Sequence, residues 1–524
     1  MKLRTIVKIA ITSSVVLLCS GFALYSFFRL SAAEGQKDFN LYELVPSTTS
    51  AVFVTDDVLE FVAEVDELTC SKNQQYLYVS KLFSYLKQSL YALSEDPPHG
   101  LSRQMNQMLI SFHEPDNERN QVLYCRLGNG DKELVNRFVR KYISSLYPPK
   151  TFIYKGEEII IYPMADGDFL ACYLTSDFMA LSFQKKLIEN VIDAYKSGKS
   201  LADDSTFTGI RAPKKSAAAA TIYTRMQGMM GWTEFDMKMK DDFIYFSGIT
   251  HDADTCFAFI NQLRQQQSVK GFPGEVLPST AFYFSRQGIT DWVSLLSYGN
   301  AQGQSVPART SEVQNRDKEF SRYLMENAGQ DLVACLFQRE DTLQDAAAVL
   351  SLSVADVTEA ERMLRALVNA ASADEGRRNP RITFCYTVNK AYPIYRLPQT
   401  TLFEQLTSFA EPTLDVYAAF YGGRLLLAPD ADALAHYIRQ LDKGEVLNGA
   451  MAYQTGMDHL SDSYHFMLMV DFDHIFQQSE NHVRFVPDFF LRNADFFRHF
   501  TLFVQFACAD GMVYPTIVLK YKSE

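Results

Sequence analysis

Two stretches in different halves of the 524-residue chain match without a gap: FMALSFQKKLIENVIDAYKSGKSL at 178–201 and RLLLAPDADALAHYIRQLDKGEVL at 424–447. In each stretch, a short apolar run typical of a β-strand leads into a segment whose apolar residues recur at helical spacing. Each helical segment stops at a glycine, Gly198 or Gly444, which suits the left-handed conformation that ends many helices. The match predicts that the chain contains the same structural module twice.

The flanking sequences repeat as well. Leu44-Val45-Pro46-Ser47-Thr48 precedes a strand-like run in the first half, and Val276-Leu277-Pro278-Ser279-Thr280 does so in the second. Strand-like runs follow one another through short turns, which favours antiparallel pairing, and helical segments come in blocks. We therefore predict an α+β fold with two homologous domains, 44–270 and 275–524, each a mainly antiparallel sheet with helices packed on one face.

The N-terminus predicts a membrane anchor. Residues 9–28 carry no charge, and their 20 residues at helical rise would span about 30 Å, the thickness of a bilayer's apolar core. Lys2, Arg4 and Lys8 precede this run, and cations gather on the cytoplasmic side of a membrane helix. The sequence thus predicts a cytoplasmic N-terminus at 1–8, a transmembrane helix at 9–28, a linker at 29–43 and an extracytoplasmic remainder.

A cleaved signal peptide is the alternative interpretation of the same segment. Its apolar stretch should be about 7–15 residues long, which is shorter than the run at 9–28. The small residues that could form a cleavage site, Ser31-Ala32-Ala33, follow Arg29 and this long apolar run. We therefore favour an uncleaved, single-pass signal anchor.

Composition excludes several classes of protein. Hydrophobic residues make up 47% and charged residues 21% of the chain, which is close to the globular average and excludes intrinsic disorder. The formal net charge of −12 argues against nucleic-acid binding, since a phosphate-binding surface needs an excess of cations. Cysteines in apolar runs such as ITFCYT at 382–387 behave as small core residues, so we expect buried thiols and no disulfide framework.

No sequence motif for nucleotide binding or catalysis is intact. Gly198-Lys199-Ser200 resembles the end of a phosphate-binding loop, but Asp193 stands where that motif begins with glycine, and the tripeptide ends a helix where a phosphate loop must start one. The chain contains neither the zinc-protease pattern HExxH nor the serine-hydrolase elbow GxSxG. The sequence therefore predicts no cofactor, no nucleotide and no identified catalytic residue.

Asp471, Asp473 and His474 are weak candidates for a metal site, because two carboxylates beside an imidazole can hold a divalent cation. A cap at the start of a helix would explain the same residues. The other dense cluster, at 251–254, precedes an apolar helical segment and suits a cap as well. The two clusters do not occupy equivalent positions in the repeat.

Aromatic residues are abundant, with 39 Phe and 28 Tyr, and they are densest at 485–497. Phe489, Phe490, Phe496 and Phe497 are candidates for an apolar docking surface for a partner protein or a lipid headgroup region. The alternative is a helix face that packs on the last strands of the fold.

The anchor, the Pro-Ser-Thr strand start and the duplicated module together resemble, in layout, an uncharacterised family of single-anchored bacterial envelope proteins known as a domain of unknown function. This resemblance implies a bacterial inner-membrane protein with its bulk in the periplasm. We predict a membrane-anchored binding or scaffold protein with an envelope protein as partner, and we favour this over an enzyme. The alternative is an envelope hydrolase acting on glycan or peptide, with its site at the interface of the two repeats.

Overall fold

The computed structural model describes residues 39–74, 77, 82, 105–114, 117, 119–128, 131–138, 147–164, 167–211, 218–225, 231–250, 258–293, 295–296, 310–339, 346–375, 382–388, 390–397, 399–407, 415–478 and 486–522. The anchor predicted at 9–28 and the acidic cluster at 251–254 lie outside these residues. In the part of the chain that is described, no helix combines the length and the apolar character needed to cross a bilayer.

The secondary-structure elements follow one another with strands in the majority. The strands are β1 (Ala51–Thr55), β2 (Met108–Phe112), β3 (Gln121–Arg126), β4 (Lys150–Tyr154), β5 (Glu157–Pro163), β6 (Phe169–Leu174), β7 (Phe178–Ser182), β8 (Ala220–Thr224), β9 (Thr233–Lys240), β10 (Phe243–Thr250), β11 (Val269–Lys270), β12 (Ala281–Gly288), β13 (Ala328–Gln338), β14 (Ala346–Val354), β15 (Ile382–Tyr386), β16 (Ala391–Arg396), β17 (Tyr417–Tyr421), β18 (Arg424–Ala428), β19 (Ser463–Tyr464), β20 (Phe466–Asp471), β21 (Phe500–Ala509) and β22 (Met512–Tyr521). The α-helices are α1 (Val58–Glu67), α2 (Thr69–Lys72), α3 (Asp131–Phe138), α4 (Lys185–Ser197), α5 (Ser205–Ile210), α6 (Ala258–Arg264), α7 (Ser311–Asn327), α8 (Val357–Glu375), α9 (Leu402–Leu406), α10 (Ala431–Asp442), α11 (Met451–Met457), α12 (Phe472–Phe476), α13 (Asp488–Arg492) and α14 (Ala494–Phe497).

The predicted α+β class, two separate domains each with its own sheet and packed helices, is wrong. The chain is mostly a large antiparallel sheet with few helices. The physical reason is a strand ladder that joins the two halves of the sequence: β10 of the first half pairs antiparallel with β22 of the second half. Single segments predict strands, but they do not reveal a pairing between strands so distant along the chain.

The chain forms two compact units. Among the described residues, the first unit comprises those of 39–47, 105–109 and 122–203, and its strands pair in the order β3-β7-β6-β5-β4. The second unit comprises the described residues of 48–82, 110–121 and 204–522. Its strands pair in the order β1-β8-β9-β10-β22-β21-β20-β12-β13-β14-β18-β17-β16-β15, and all these pairings are antiparallel.

The two sequence halves use the same strand order. The series β3-β7-β6-β5-β4 has its counterpart in β14-β18-β17-β16-β15, and β1-β8-β9-β10 has its counterpart in β12-β20-β21-β22. An isolated bridge joins Pro46 to Ser200, and the equivalent bridge joins Pro278 to Val446. The helices that precede these bridges, α4 and α10, end beside Gly198 and Gly444, whose φ angles are 63° and 77°. The left-handed glycines predicted from the sequence are confirmed.

The ladder between β10 and β22 has a local two-fold arrangement. Asp241 precedes β10 and Asp510 precedes β22, and both have positive φ, 49° and 51°. Ser247 and Thr516 lie at the same distance along the chain after these two turns, and they pair directly with each other. Equivalent residues that pair in an antiparallel ladder lie on opposite sides of a two-fold axis, so this axis passes between Ser247 and Thr516.

Helices cover both faces of the sheet in the second half, which corrects the prediction that they pack on one face. Tyr437 of α10 packs on Phe337 with 5.5 Å between ring centroids, in a core that also contains Ile394. Arg365 of α8 donates to the hydroxyl of Tyr395 at 2.7 Å. Ile394 and Tyr395 are neighbours on β16 and therefore point to opposite faces. Helices α8 and α10 thus lie on opposite sides of the same strands.

Candidate functional site

Asp471 is the cap of a helix and the partner of a lysine. Its carboxylate accepts hydrogen bonds from the backbone N–H groups of Asp473 at 3.1 Å and His474 at 3.4 Å, at the start of α12. The Nζ atom of Lys522 lies 2.7 Å from the same carboxylate. Burial opposes ionisation of Asp471, but the hydrogen bond with His474 and the charge of Lys522 hold its pKa below the usual value.

The alternative stated for these residues, a helix cap, therefore describes Asp471. Asp473 lies in the first turn of α12 and does not share a strand face with Asp471. The pKa of His474 is raised, chiefly by its hydrogen bond with the Asp471 carboxylate. Across the described ranges, no three His, Cys, Asp or Glu side chains come together in a geometry that could hold a metal ion.

The four candidate docking residues form one aromatic cluster on α13 and α14. Phe497 is buried, Phe490 and Phe496 are half-buried, and Phe489 is exposed at 37%. Ring centroids lie 4.8 Å apart for Phe490 and Phe497, and 4.9 Å apart for Phe490 and Phe472 of α12. Most of the cluster is therefore internal packing, as the alternative interpretation has it, and Phe489 is the member that reaches the surface.

A buried ionic cluster, not identified from the sequence, lies in the second half. The Asp331 carboxylate on β13 is 3.0 Å from Nε of Arg286 and 3.2 Å from an Nη atom of Arg424. Arg424 also donates to the hydroxyl and the carbonyl of Ser351, at 2.5 and 2.9 Å. Burial opposes ionisation of Asp331, but the charges of Arg424 and Arg286 outweigh it and lower its pKa. Because Asp331 is shared by both guanidinium groups, the cluster ties β12, β13 and β18 together.

The most distinctive surface feature is β15, the last strand of the sheet in the second unit. Within the residues that the structure describes, β15 pairs with β16 and with no other strand. Four of its five side chains are exposed, and Cys385 is the buried one. Cys385 is fully buried under α10, as the sequence predicts, and its Sγ lies 3.5 Å from the carbonyl of Ala435. The other face of β15 carries Ile382, Phe384 and Tyr386, which are exposed at 41%, 53% and 70%.

The backbone of β15 offers hydrogen-bonding groups on its open side. Thr387 donates its N–H to the carbonyl of Lys390 at 3.0 Å, which directs the backbone of Thr387 towards β16. Backbone groups of successive residues point to opposite sides in an antiparallel strand, so Cys385 and Thr383, at every second position from Thr387, also face β16. The N–H and C=O groups of Ile382, Phe384 and Tyr386 therefore point away from the sheet. Open edges of this kind are templates for an added strand.

The sequence of β15 contains none of the features that usually protect such an edge. Natural edge strands carry lysines, prolines or bulges that disfavour pairing with another chain. The strand reads Ile-Thr-Phe-Cys-Tyr, with no charge and no proline, and its register with β16 is continuous. The equivalent strand of the first half, β4, begins at Lys150 and is followed by Lys155. A charged residue thus lies within β4 but not within β15, which Arg381 directly precedes.

The hydrolase alternative places its site where the two repeats meet, and the ladder between β10 and β22 is such a place. Phe243 and Tyr245 stack with 5.6 Å between ring centroids, and the ring of His459 lies 4.3 Å from that of Phe243. Nζ of Lys520 lies 5.8 Å from the Phe243 ring, and burial lowers the pKa of this lysine. Two carboxylates act on the same residues: the charge of Asp241 adds to burial in raising the pKa of Tyr245, and the charge of Asp242 opposes the lowering of the Lys520 pKa. The ladder between β10 and β22 therefore carries aromatic rings, a cation and carboxylates together.

No protein-family model matches the chain, and no curated protein and no solved structure matches it significantly. The family named in the sequence analysis therefore stays a resemblance of layout.

Proposed function

We propose that the protein is a non-catalytic binding or scaffold protein of the bacterial envelope, held by its N-terminal anchor, which joins protein chains by accepting an extended strand at β15. The observation that carries the proposal is the open, uncharged edge of β15 with its exposed row of Ile382, Phe384 and Tyr386. The anchored, extracytoplasmic location rests on the charge pattern around 9–28.

Strand addition has a clear physical basis at this edge. Backbone groups that point away from the sheet supply hydrogen bonds to an extended segment, and side chains at alternate positions select it. Exposed aromatic and β-branched residues gain about 0.2–1 kcal/mol from each favourable cross-strand pair. The partner segment should therefore be uncharged, extended and apolar at every second residue.

The polar clusters described above favour binding over catalysis. The Asp471 carboxylate is engaged by Lys522 and by the start of α12, and the Asp331 carboxylate is engaged by Arg286 and Arg424. A general acid or base must be able to exchange a proton with a bound substrate, and carboxylates held ionised by lysine or arginine are poor at this. Strand addition at the edge of β15 needs no group that exchanges a proton.

Selection from a library of short random peptides tests the proposal. The full chain should enrich uncharged peptides with apolar residues at alternate positions. In the peptide complex the amides of Ile382, Phe384 and Tyr386 should exchange slowly, because these N–H groups would donate to the peptide backbone. The Phe384→Lys variant should bind the enriched peptides about tenfold more weakly or worse.

Ile153→Lys is the matched control, since Ile153 is exposed at 71% on the equivalent edge strand β4. It should leave peptide binding unchanged. Equal binding by the wild type and by Phe384→Lys, or protection confined to other strands, would remove β15 as the binding site.

A further inference from the structure

We infer that the strand added at β15 is the β15 strand of a second copy of the chain, which makes the protein a two-fold symmetric dimer. This inference rests on the proposed function, because it names the partner of the same edge. A closed dimer of this kind uses an isologous interface, in which the same surface of both copies meets across the axis.

The first argument is the internal ladder between β10 and β22. There the two halves of the chain, which share one strand order, already meet strand to strand in antiparallel fashion around the axis between Ser247 and Thr516. The sheet built by this sequence is therefore compatible with two-fold antiparallel pairing of equivalent strands. Antiparallel pairing of two β15 strands would repeat this arrangement between two copies of the chain.

The second argument is the self-complementarity of β15. An antiparallel pair centred on Phe384 places Ile382 of each copy opposite Tyr386 of the other. In this register the outward N–H and C=O groups of Ile382, Phe384 and Tyr386 all find partners, since these residues occupy the hydrogen-bonded positions of the new ladder. An aliphatic residue opposite an aromatic one is also among the favourable cross-strand pairs.

The third argument is the absence of charge. Around a two-fold axis a charged residue lies close to its own copy, and like charges directly opposite each other are destabilising. Residues 382–388 contain no charged side chain, and Val388 beyond the strand is exposed at 95%. The edge at β4 is different, because a charge, Lys150, lies within the strand, whereas the charges nearest to β15 in the sequence, Arg381 and Lys390, lie outside 382–388. A β4–β15 contact would also be head-to-tail and would build a ring or an open filament, whereas a β15–β15 contact closes as a dimer.

Sedimentation velocity of the full chain in detergent at micromolar concentration, with the bound detergent subtracted, tests the inference together with hydrogen exchange. We expect a species of twice the 59.6 kDa chain mass, with slow exchange at the amides of Ile382, Phe384 and Tyr386. Phe384→Lys and Tyr386→Lys should each sediment as a monomer with fast exchange at these amides. Ile153→Lys should remain a dimer. Because all three side chains are exposed, each variant should keep the far-UV circular dichroism spectrum of the wild type.

The outcomes separate this inference from the proposed function. A monomeric wild type that binds the selected peptides at β15 would overturn the dimer and leave strand addition standing. A monomeric wild type that binds no peptide would overturn both. A dimer that survives both lysine variants would place the contact elsewhere on the chain. Dissociation of the wild-type dimer by the selected peptides would support both statements at once.

Discussion

Phe178 and Arg424 occupy the same place in the two halves of the chain and are stabilised in different ways. Both begin the strand that leads into the long helix, β7 before α4 and β18 before α10. Phe178 is buried against Tyr195 of α4, with ring centroids 5.6 Å apart, and against Tyr173. Arg424 instead binds Asp331, which also binds Arg286. One position thus carries an aromatic core in the first half and a buried ionic cluster in the second.

The backbone features common to both halves are the ones that the strand order requires. The bridge from Pro46 to Ser200 recurs as the bridge from Pro278 to Val446, and the positive-φ glycine recurs after both helices. These backbone features are the same in both halves although the side chains packed on the strands are not. Backbone turns and bridges fix the connections, whereas a core accepts any well-packed and fully paired set of side chains.

The largest expected effect comes from breaking the ionic cluster. We expect Asp331→Ala to destabilise the second half by about 3–5 kcal/mol, because it leaves two largely buried guanidinium groups without their shared counter-ion. Native-state hydrogen exchange of β12, β13 and β18 measures the loss where it occurs. Strands β5 and β6 in the first unit should change little.

A triple variant makes the second half resemble the first. Asp331→Ala combined with Arg286→Met and Arg424→Phe removes both cations together with the carboxylate. We expect it to recover most of the lost stability, since well-packed apolar residues can replace a buried ion pair at little cost. A triple variant as unstable as Asp331→Ala would show that the cluster, and not the uncompensated charge, stabilises these strands.

A fall in pH should also remove the stabilising contribution of the Asp331 carboxylate. The folded-state pKa of Asp331 is lowered, while an aspartate in an unfolded chain has a pKa of about 3.9. A lowered folded pKa contributes stability above the unfolded pKa, and this contribution is lost as the pH falls through the folded value. The stability difference between the wild type and Asp331→Asn should therefore shrink below about pH 4. A constant difference from pH 5 to pH 2 would argue against a charge effect.

Much of the local structure could be predicted from the sequence, because it depends on neighbouring residues. Helices α4 and α10, their left-handed glycines and the buried Cys385 follow from spacing and residue type. The sequence also contains a pattern that indicates a sheet covered on both faces. Residues 346–352 are all buried, and their sequence, AAAVLSL, consists of small or apolar residues. This pattern is typical of a strand enclosed on both sides.

The candidate site could not be predicted in the same way. Residues 382–387 look like any buried aromatic strand, and only the pairing of β15 with a single neighbour places Phe384 and Tyr386 at the surface. The partners of Asp331 are likewise far apart in sequence, on β12 and β18. Single-sequence patterns report the period of a segment, while edges and ion pairs depend on contacts between distant segments.

The smallest expected effect tests whether the shared backbone features matter equally in both halves. Gly198 and Gly444 have positive φ, and a Cβ atom added at either would meet no atom within 4 Å. An alanine there should therefore cost only the strain of the left-handed conformation, about 1–2 kcal/mol, less the gain of about 0.4–1 kcal/mol from a more restricted unfolded chain. Gly198→Ala and Gly444→Ala should lower the free energy of unfolding of their own halves by similar amounts, measured by hydrogen exchange of α4 and α10.

Gly209→Ala is the matched control for this pair. Gly209 lies in α5 without a positive φ, and an added Cβ would again meet no atom within 4 Å, so alanine should be neutral or slightly stabilising. If Gly444→Ala proved neutral while Gly198→Ala was costly, the end of α10 would have to adopt a different conformation without its glycine. The Pro278 bridge to Val446 begins directly after this turn, so such a change should also speed the exchange of the amide of Leu447, which donates to Leu277 at 2.9 Å. Equal losses at both glycines, with the amide of Leu447 unaffected, would mean that the two halves depend on the same turn to the same degree, whatever their cores contain.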